Sequence, residues 1–248
     1  MFFRRSTVAL AVVGATACVA FGPLTAHASV ATEIVDTFTT DVVVLGITQA
    51  HDSLSVAAVR GTTAVTVVGE RATAGLCAGF TDTLENLGPS QDDPSITEFG
   101  SRVSIVAKDF QGYGDNGCAG RWKLTYTATG PNDGKDTAVD YQYILRASRF
   151  LGANSGPEPI AAGAAVTTSA TLQRASFADA KYHGWVTPVQ LQFKTKGAWK
   201  TYRTLTPSSA GKVAGTVRQR VTGCWRLVAV GTATTDDAVS PVDCVTVR

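Results

Sequence analysis

The stretch Trp122-Lys123-Leu124-Thr125-Tyr126-Thr127 alternates apolar and polar residues with a period of two. Successive side chains of a β-strand point to opposite faces of a sheet, so this alternation is typical of a strand with one buried face. The turn-forming residues Asn132-Asp133-Gly134 follow, and Val139 to Leu145 resumes the alternation. Because Asp-Gly tolerates positive φ, the two segments and the turn between them predict a β-hairpin.

Similar runs recur along the chain, and Thr and Val supply 55 of the 220 residues that follow residue 28. Such β-branched residues favour a pleated, half-buried surface. Only Asp82 to Leu87 suggests a helical turn. We therefore predict an all-β fold of β-sandwich type, with short strands between frequent turns. The further runs lie at Asp41–Leu45, Leu54–Val59, Ala64–Val68, Arg102–Val106, Ala165–Leu172, Val189–Phe193, Trp199–Leu205, Val213–Val217, Trp225–Val230 and Cys244–Val247.

The strand pattern stops over residues 152–163, where Asn154 to Pro159 contains two prolines and a glycine. Proline removes a ladder donor, so this segment predicts a linker or the lead-in to a new first strand. We place an N-terminal β-sandwich domain at residues 29–151 and a C-terminal immunoglobulin-like β-sandwich domain at residues 164–248. Both sizes fit ordinary domains.

A short internal repeat supports this division. Gly120-Arg121-Trp122-Lys123-Leu124 and Gly223-Cys224-Trp225-Arg226-Leu227 share the pattern Gly-x-Trp-[Lys/Arg]-Leu at an offset of 103 residues. Each stretch follows a loop and opens a strand. We expect each Trp to anchor the core of its own sandwich and the base beside it to face solvent.

Residues Met1 to Ala28 have the features of a secretory signal peptide. Two arginines precede the uncharged run Val8 to Phe21, and Ala26-His27-Ala28 is an A-x-A cleavage site, so the mature chain would begin at Ser29. An uncleaved membrane helix and lipidation at Cys18 are the alternatives. The uncharged run is short for a bilayer span. We predict a secreted protein with no membrane span in its mature chain.

Four cysteines follow the signal peptide, namely Cys77, Cys118, Cys224 and Cys244. An even number in an exported chain predicts disulfides, and three connectivities are possible. Pairing within each half is the simplest, because each bridge then lies inside one domain. The spacing does not support a zinc site, since no Cys-x-x-Cys pair is present.

Charge excludes one class of partner for the mature chain. Without the signal peptide, 20 Lys and Arg face 20 Asp and Glu, so the formal net charge is zero. Binding to nucleic acid or to an anionic membrane needs a basic excess. We therefore expect no nucleic-acid partner.

Catalytic motifs are sparse. A Ser–His–Asp hydrolase would have to use His51 or His183, and the Gly-x-Ser-x-Gly elbow is absent. Carboxylate pairs such as Asp92-Asp93 and Asp236-Asp237 lie in turn-like stretches, where solvated acids are ordinary. We predict a non-enzymatic protein without a cofactor, and keep a hydrolase using either histidine as an alternative.

Calcium is the metal that deserves comparison with the sequence. Asn132 to Asp136 resembles part of a calcium loop, but it lacks the EF-hand spacing, and Lys135 adds a repelling charge. Asp109 to Asn116 offers Asp109, Asp115 and Asn116 in a glycine-containing loop. Ordinary turns explain the composition of both stretches, so we assign no metal ligands.

Four aromatic residues are crowded into one part of the C-terminal half: Tyr182, Trp185, Trp199 and Tyr202. Exposed aromatics can stack on sugar rings or enter a partner's pocket, so they are candidate ligand contacts. The alternative is that Trp199 packs on the sheet and Tyr182 covers an edge.

The C-terminal half resembles a family of secreted actinobacterial proteins built from tandem immunoglobulin-like domains. The matching pieces are Asn154 to Pro159, Leu172 to Phe177, Tyr182 to Trp185, Val189 to Phe193, Gly223 to Arg226 and Gly231 to Thr235. The first half is similar more loosely, through Cys77, Cys118 and Gly120 to Lys123. The chain departs from the family at Phe177, where Trp is commoner, and in its Cys224 and Cys244 pair.

The resemblance implies an exported protein of tandem immunoglobulin-like domains with no established enzyme activity. Family members are often labelled calcium-binding, but no calcium ligands carry over from the matched motifs. Our leading hypothesis is a secreted, non-catalytic binding or structural module of the cell exterior. Its partner would be an extracellular protein or a cell-wall polymer. A calcium-dependent surface or adhesion module is the first alternative, and the hydrolase is the second.

Overall fold

A computed structural model of the chain describes residues 32–39, 42–46, 50–73, 77–105 and 115–248. The predictions about the signal peptide and Cys18 concern residues outside these ranges. Within them the protein consists of strands, two 3₁₀ turns and connecting loops, so the predicted all-β fold class is confirmed. The described ranges contain no helix with the length and apolar character needed to cross a membrane.

Seventeen strands are described, and the 3₁₀ turns span Asp115–Cys118 and Pro131–Asp133. In chain order the strands are β1 (Ile34–Thr39), β2 (Val42–Leu45), β3 (Ala50–Val59), β4 (Ala64–Arg71), β5 (Phe80–Pro89), β6 (Ile96–Ile105), β7 (Gly120–Thr129), β8 (Lys135–Arg146), β9 (Ser148–Gly156), β10 (Ala165–Ser176), β11 (Lys181–Gly184), β12 (Val189–Lys194), β13 (Lys200–Leu205), β14 (Lys212–Arg218), β15 (Gly223–Ala229), β16 (Ala238–Val239) and β17 (Asp243–Val245).

The N-terminal strands follow the order β1-β3-β6-β5-β4-β7-β8-β2, and β2 runs parallel to β8. Strand β5 belongs to two layers, because Phe80 to Leu84 pair with β4 while Glu85 to Pro89 pair with β6. If β1 and β3 to β8 are lettered A to G in chain order, one layer (β1-β3-β6-β5) reads A-B-E-D and the other (β4-β7-β8) reads C-F-G. This is the immunoglobulin arrangement. Asp82 to Leu87 therefore lies in a strand, and the predicted helical turn is wrong, since pairing first with β4 and then with β6 outweighs local preference.

Inward-facing residues of these two layers form the N-terminal core. The alternating burial of β4 and β7 places every second side chain inside, as a half-buried sheet requires. The core residues are Leu54, Val56, Ala58, Val65, Val67, Leu84, Phe99, Leu124, Tyr126 and Ala128.

The C-terminal strands form a second sandwich of immunoglobulin type, with C′ in place of D. In one sheet β10 lies between β9 and β14, with β11 pairing the end of β10, and the other sheet has the order β13-β12-β15-β16 with β17 also on β15. These sheets correspond to A-B-E and C′-C-F-G. Trp225 is 2% exposed in the core between them, which confirms its expected place.

The predicted linker overlaps a regular strand. Strand β9 begins at Ser148 and pairs with β10 from Ser148↔Arg174 to Gly156↔Thr167. It therefore lies across the boundary that we expect between residues 151 and 152. The division of the chain into domains stays a prediction.

The hairpin predicted around Asn132-Asp133-Gly134 joins β7 to β8, with Thr129 paired to Lys135. The loop closes through a bond from the Gly130 N–H to the Gly134 carbonyl oxygen (2.8 Å). The positive φ that the turn needs falls on Asp133 (59°), whereas φ of Gly134 is −56°. Asp is one of the few non-glycine residues that adopt this conformation readily.

A third apolar cluster joins the two sandwiches. Phe177, in the turn between β10 and β11, is fully buried against Val43, Leu45, Trp122 and Ile144 of the N-terminal strands. Its backbone N–H donates to the Asn116 side chain (3.0 Å). Trp122 thus packs at the junction, and the expectation that it anchors the N-terminal sandwich core is corrected: it lies where β7 begins, beyond the N-terminal core residues of that strand.

Both cysteine pairs form disulfides within their own half of the chain. Cys77–Cys118 ties the segment between β4 and β5 to the 3₁₀ turn before β7, and closes a separation of 41 residues. Cys224–Cys244 joins two directly paired residues of β15 and β17, with a separation of 20.

Candidate functional site

One polar surface stands out on the C-terminal sandwich, on the outer side of β13, β12 and β15. Leu191 pairs with Leu227 and both are buried, so the next pair, Gln192 and Arg226, points away from the core. We use the name Arg226 face for the surface formed by Gln190, Gln192, Trp199, Thr201 and Arg226.

The Arg226 side chain is held in one orientation by its neighbours. Its guanidinium carbon lies 4.3 Å from the centre of the Trp199 ring, a stacking contact that favours Arg over Lys. Its Nε donates to Oε1 of Gln192 (2.9 Å), and Nε2 of Gln192 donates to Oε1 of Gln190 (2.8 Å). Thr201 donates its hydroxyl to that same Gln190 oxygen (3.1 Å).

This network leaves the outer edge of the guanidinium available. The terminal nitrogens of Arg226 make no hydrogen bond or ion pair with any described residue, since Nε alone is engaged. An arginine fork of this kind recognises carboxylate or phosphate through two parallel hydrogen bonds. Holding the fork in place before binding lowers the entropy cost of binding.

Further bases surround the site, and the acid on the neighbouring strand β17, Asp243, pairs with Trp225 and accepts the Ser155 N–H (2.6 Å). Residues 182–235 contain eight Lys and Arg but no Asp or Glu. The Lys194 ammonium lies 5.8 Å from the Trp199 ring. Lys196, Lys200 and Arg203 are exposed on the hairpin that joins β12 to β13. Pairing of Lys194 with Cys224 places this hairpin at the end of β15 far from Asp236 and Asp237.

The zero net charge of residues 29–248 hides this asymmetry. Residues 29–147 carry eight bases and 15 acids, whereas residues 148–248 carry 12 bases and five acids. Net charge counted separately for the two halves would have shown that the C-terminal half is basic, and it is the signal that the sequence analysis missed. The orientation of Arg226 has no comparable signal in the sequence.

The four aromatic candidates do not form one site. Trp199 is half-buried beneath Arg226, and Tyr202 is 57% exposed on the same hairpin with its ring edge against Trp225. Tyr182 is half-buried on β11, in the other sheet, under the Arg149 guanidinium (3.7 Å). Trp185 is 3% exposed in the core and does not reach the surface.

Among the described residues, His183 is not part of a nucleophile–base pair. His183 lies 2.7 Å from Asp179, and the described contacts of His183 include no serine or threonine hydroxyl. Desolvation acts to raise the pKa of Asp179, but hydrogen bonds from His183 and Ser176 outweigh it and lower that pKa. His51 lies in β3, paired with Ser104.

Two of the calcium candidates accept backbone N–H groups from other segments. Asp136 accepts the Ile34 N–H (2.8 Å), and Asn116 accepts the Phe177 N–H (3.0 Å). Asp109 lies outside the described residues. Within the described ranges, His, Cys, Asp and Glu side chains form no group of three or more that could hold a metal ion.

Comparisons with known proteins found weak structural likeness. No protein-family model matches the chain, and no curated protein matches it. The D00-D0 domain of intimin is similar at 12% identity over 87% of this chain and 98% of that one, with a TM-score of 0.30. A tandem pair of titin immunoglobulin domains is similar at 12% identity over 88% and 98%, with a TM-score of 0.27.

A third structure, from a bacterial ice-binding adhesin described as retained at a host cell surface, is similar at 10% identity over 79% of this chain and 58% of that one, with a TM-score of 0.28. Scores this far below 0.5 carry no argument. The immunoglobulin-like assignment rests on the strand order of the two sandwiches.

Proposed function

We propose that this protein is a secreted, non-catalytic binding module of the cell exterior that attaches to an anionic cell-wall polymer through the Arg226 face. One observation carries the proposal: Arg226 is held by Trp199 and Gln192, and its terminal nitrogens make no hydrogen bond or ion pair with any described residue. A guanidinium placed in this way suits the carboxylate or phosphate groups of such a polymer.

Other features support the extracellular part of the proposal. Two disulfides are typical of proteins that fold in an oxidising compartment. The signal peptide expected at residues 1–28 and the resemblance to secreted actinobacterial proteins agree with the same location. Under this proposal the N-terminal sandwich has a structural or presenting role, and binding belongs to the C-terminal sandwich.

The direct test is co-sedimentation of the purified protein with insoluble cell walls. Two wall preparations would be compared, one intact and one stripped of covalently attached anionic polymers by acid. We expect binding to intact walls, loss of binding to stripped walls, and weaker binding as salt is raised, because exposed charges are screened.

Substitutions at one position would separate charge from shape. We expect Arg226→Gln to weaken wall binding about tenfold, the size of one charge-assisted hydrogen bond. Arg226→Lys keeps the charge but loses the planar fork, so it should also bind less well. Arg121→Gln is the matched control, since Arg121 stacks on Tyr141 in the N-terminal sandwich (3.8 Å).

Two results would contradict the proposal. Equal binding to intact and stripped walls would show that the anionic polymer is not the partner. A loss of binding in Arg121→Gln as large as in Arg226→Gln would show that the Arg226 face has no special role.

A further inference from the structure

A second group of cationic side chains lies at the junction of the two sandwiches, away from the Arg226 face. Backbone hydrogen bonds bring three segments together there. The Arg146 N–H donates to the Thr234 carbonyl (3.1 Å), and the Asp236 N–H donates to the Arg146 carbonyl (3.0 Å). The Ala175 N–H donates to the Ala147 carbonyl (2.8 Å), which places Arg174 beside Arg146.

Two polar groups of this junction are buried and lack hydrogen-bond partners. Arg146 is only 7% exposed, and its Nε makes no hydrogen bond. Thr235, paired with Arg146 through a parallel bridge, is fully buried, and its hydroxyl also lacks a partner. Buried polar groups are nearly always hydrogen-bonded, so two unpaired groups on paired residues need an explanation.

Charge makes the same point independently. Arg146 and Arg174 are neighbours, and no described carboxylate forms an ion pair with either of them. Desolvation, with a smaller effect of the Arg174 charge, lowers the pKa of Arg146 to about 10. Desolvation also lowers the pKa of Arg174. A buried charge without a partner is strongly unfavourable, so a compensating negative group would stabilise this arrangement.

Asp236 directly follows Thr235 in the sequence, but it does not neutralise the two arginines. It belongs to the same loop as Thr235, and burial raises its pKa, with repulsion from Asp237 as a further cause. A carboxylate that compensated the arginines would instead have a lowered pKa, because an adjacent positive charge favours its ionised form.

We propose that Arg146, Arg174 and Thr235 form a binding site for an oxyanion at the junction of the two sandwiches. Two guanidinium groups supply charge-assisted donors, and the Thr235 hydroxyl supplies a neutral donor. This set fits a phosphate, sulfate or carboxylate group. Because the site joins the end of β8 to β10 and to the loop before β16, a bound oxyanion would hold the two sandwiches together.

The experiment measures the melting temperature of the full chain against concentration of phosphate, sulfate or acetate. Sodium chloride holds the ionic strength constant throughout. A ligand that binds only the folded state raises the melting temperature in a saturable way. Phosphate and sulfate test a tetrahedral group, and acetate tests a carboxylate, so the arms identify which form of oxyanion the site prefers.

Thr235→Val is the most informative variant, because it removes the unpaired hydroxyl with little change in shape. Without added oxyanion it should melt at the same temperature as the wild type or higher, since an unsatisfied buried group has been removed. The apparent Kd for the preferred oxyanion should rise severalfold. Arg174→Gln should raise it about tenfold.

Arg146→Met should raise the melting temperature of the ligand-free protein, because it replaces an uncompensated buried charge by an apolar side chain. It should also abolish the response to oxyanions. If this variant fails to fold, Thr235→Val and Arg174→Gln still decide the question. Arg218→Gln is the control, since Arg218 is exposed on β14 and should respond as the wild type does.

Three results would overturn the site. They are no saturable response to any of the three anions, an equal response in all variants, and a melting temperature of ligand-free Thr235→Val well below that of the wild type. None of these results depends on the Arg226 face, so wall binding and oxyanion binding can fail separately.

Discussion

The two Gly-x-Trp-[Lys/Arg]-Leu stretches open equivalent strands, β7 and β15, yet they serve different parts of the molecule. Trp122 and Trp225 are both 2% exposed. Trp122 packs in the cluster that contains Phe177 of the other sandwich. Trp225 stays within its own sandwich, where its ring lies 4.4 Å from that of Phe193. The shared pattern therefore sets the direction of the Trp side chain, and the neighbouring element decides what it stabilises.

The bases that follow the two tryptophans differ in the same way. Lys123 is opposite Glu70 across the β4–β7 ladder, so an acid occupies the directly paired position. Arg226 is opposite Gln192 and stacks on Trp199, with no acid in residues 182–235. One outward-facing position is locally balanced in charge, and the other is left as a free cationic group.

The largest effect is expected at the junction. Phe177→Ala should cost about 3–5 kcal/mol of unfolding free energy, because a fully buried aromatic ring is lost and a cavity remains. Urea denaturation followed by circular dichroism measures it. Phe193→Ala, at a partly buried position in the far end of the C-terminal sandwich, is the control and should cost less. Equal costs would mean that the junction cluster is not tightly packed.

Removal of either disulfide should lower the unfolding free energy by nearly as much. The size of the loss should differ between the disulfide of the N-terminal half and that of the C-terminal half. On the chain-entropy model, loops of 41 and 20 residues correspond to about 4 and about 3 kcal/mol. The paired variants Cys77→Ala/Cys118→Ala and Cys224→Ala/Cys244→Ala would be compared by urea denaturation. A larger cost for the second pair would show that loop entropy does not dominate.

Replacing each tryptophan by phenylalanine tests what its indole N–H contributes. The Trp122 indole donates to the Cys118 carbonyl (2.9 Å), and the Trp225 indole donates to Oε1 of Gln219 (2.8 Å). Either substitution should lower the unfolding free energy by about 1–3 kcal/mol, because a buried acceptor is left unsatisfied and packing is lost. Differential scanning calorimetry would measure both variants, and a cost close to zero in either would exclude a structural role for that bond.

The smallest effects on stability are expected at the exposed stacks. Arg121→Gln and Arg226→Gln should each cost less than about 1 kcal/mol, the usual range for exposed cation–π contacts. Thermal melting of the two variants tests this. A much larger loss of stability in Arg226→Gln would mean that Arg226 maintains the fold. Its effect on wall binding would then not distinguish a binding contact from unfolding.

Much of the fold could be predicted because it is encoded in local patterns. Alternation over Trp122 to Thr127 and the Asn132-Asp133-Gly134 turn predicted the β7–β8 hairpin. Strands β5 and β9 were missed for a physical reason. Phe80 to Pro89 has no clear alternation, and β9 runs into a stretch rich in glycine and proline, so their pairing depends on partners distant in sequence.

The candidate site was only partly predictable. Trp199 and Tyr202 were chosen as aromatic residues in a crowded segment, and the structure places both on the β12–β13 hairpin. Arg226 was noticed only as an outward-facing base. Its importance comes from Gln192 and Trp199, which are 34 and 27 residues away in the chain. No local pattern reports a contact of that kind.

The sequence by itself determined the all-β class, the repeated strand that opens with a tryptophan, and the even set of four cysteines. These properties follow from residue type and spacing, which act over a few neighbouring residues. Tertiary structure decided which tryptophan joins the two sandwiches, where Arg226 is held, and that Arg146, Arg174 and Thr235 meet. Such arrangements depend on packing between segments far apart in the chain. That packing decides which polar and charged groups are buried and which of them have a partner.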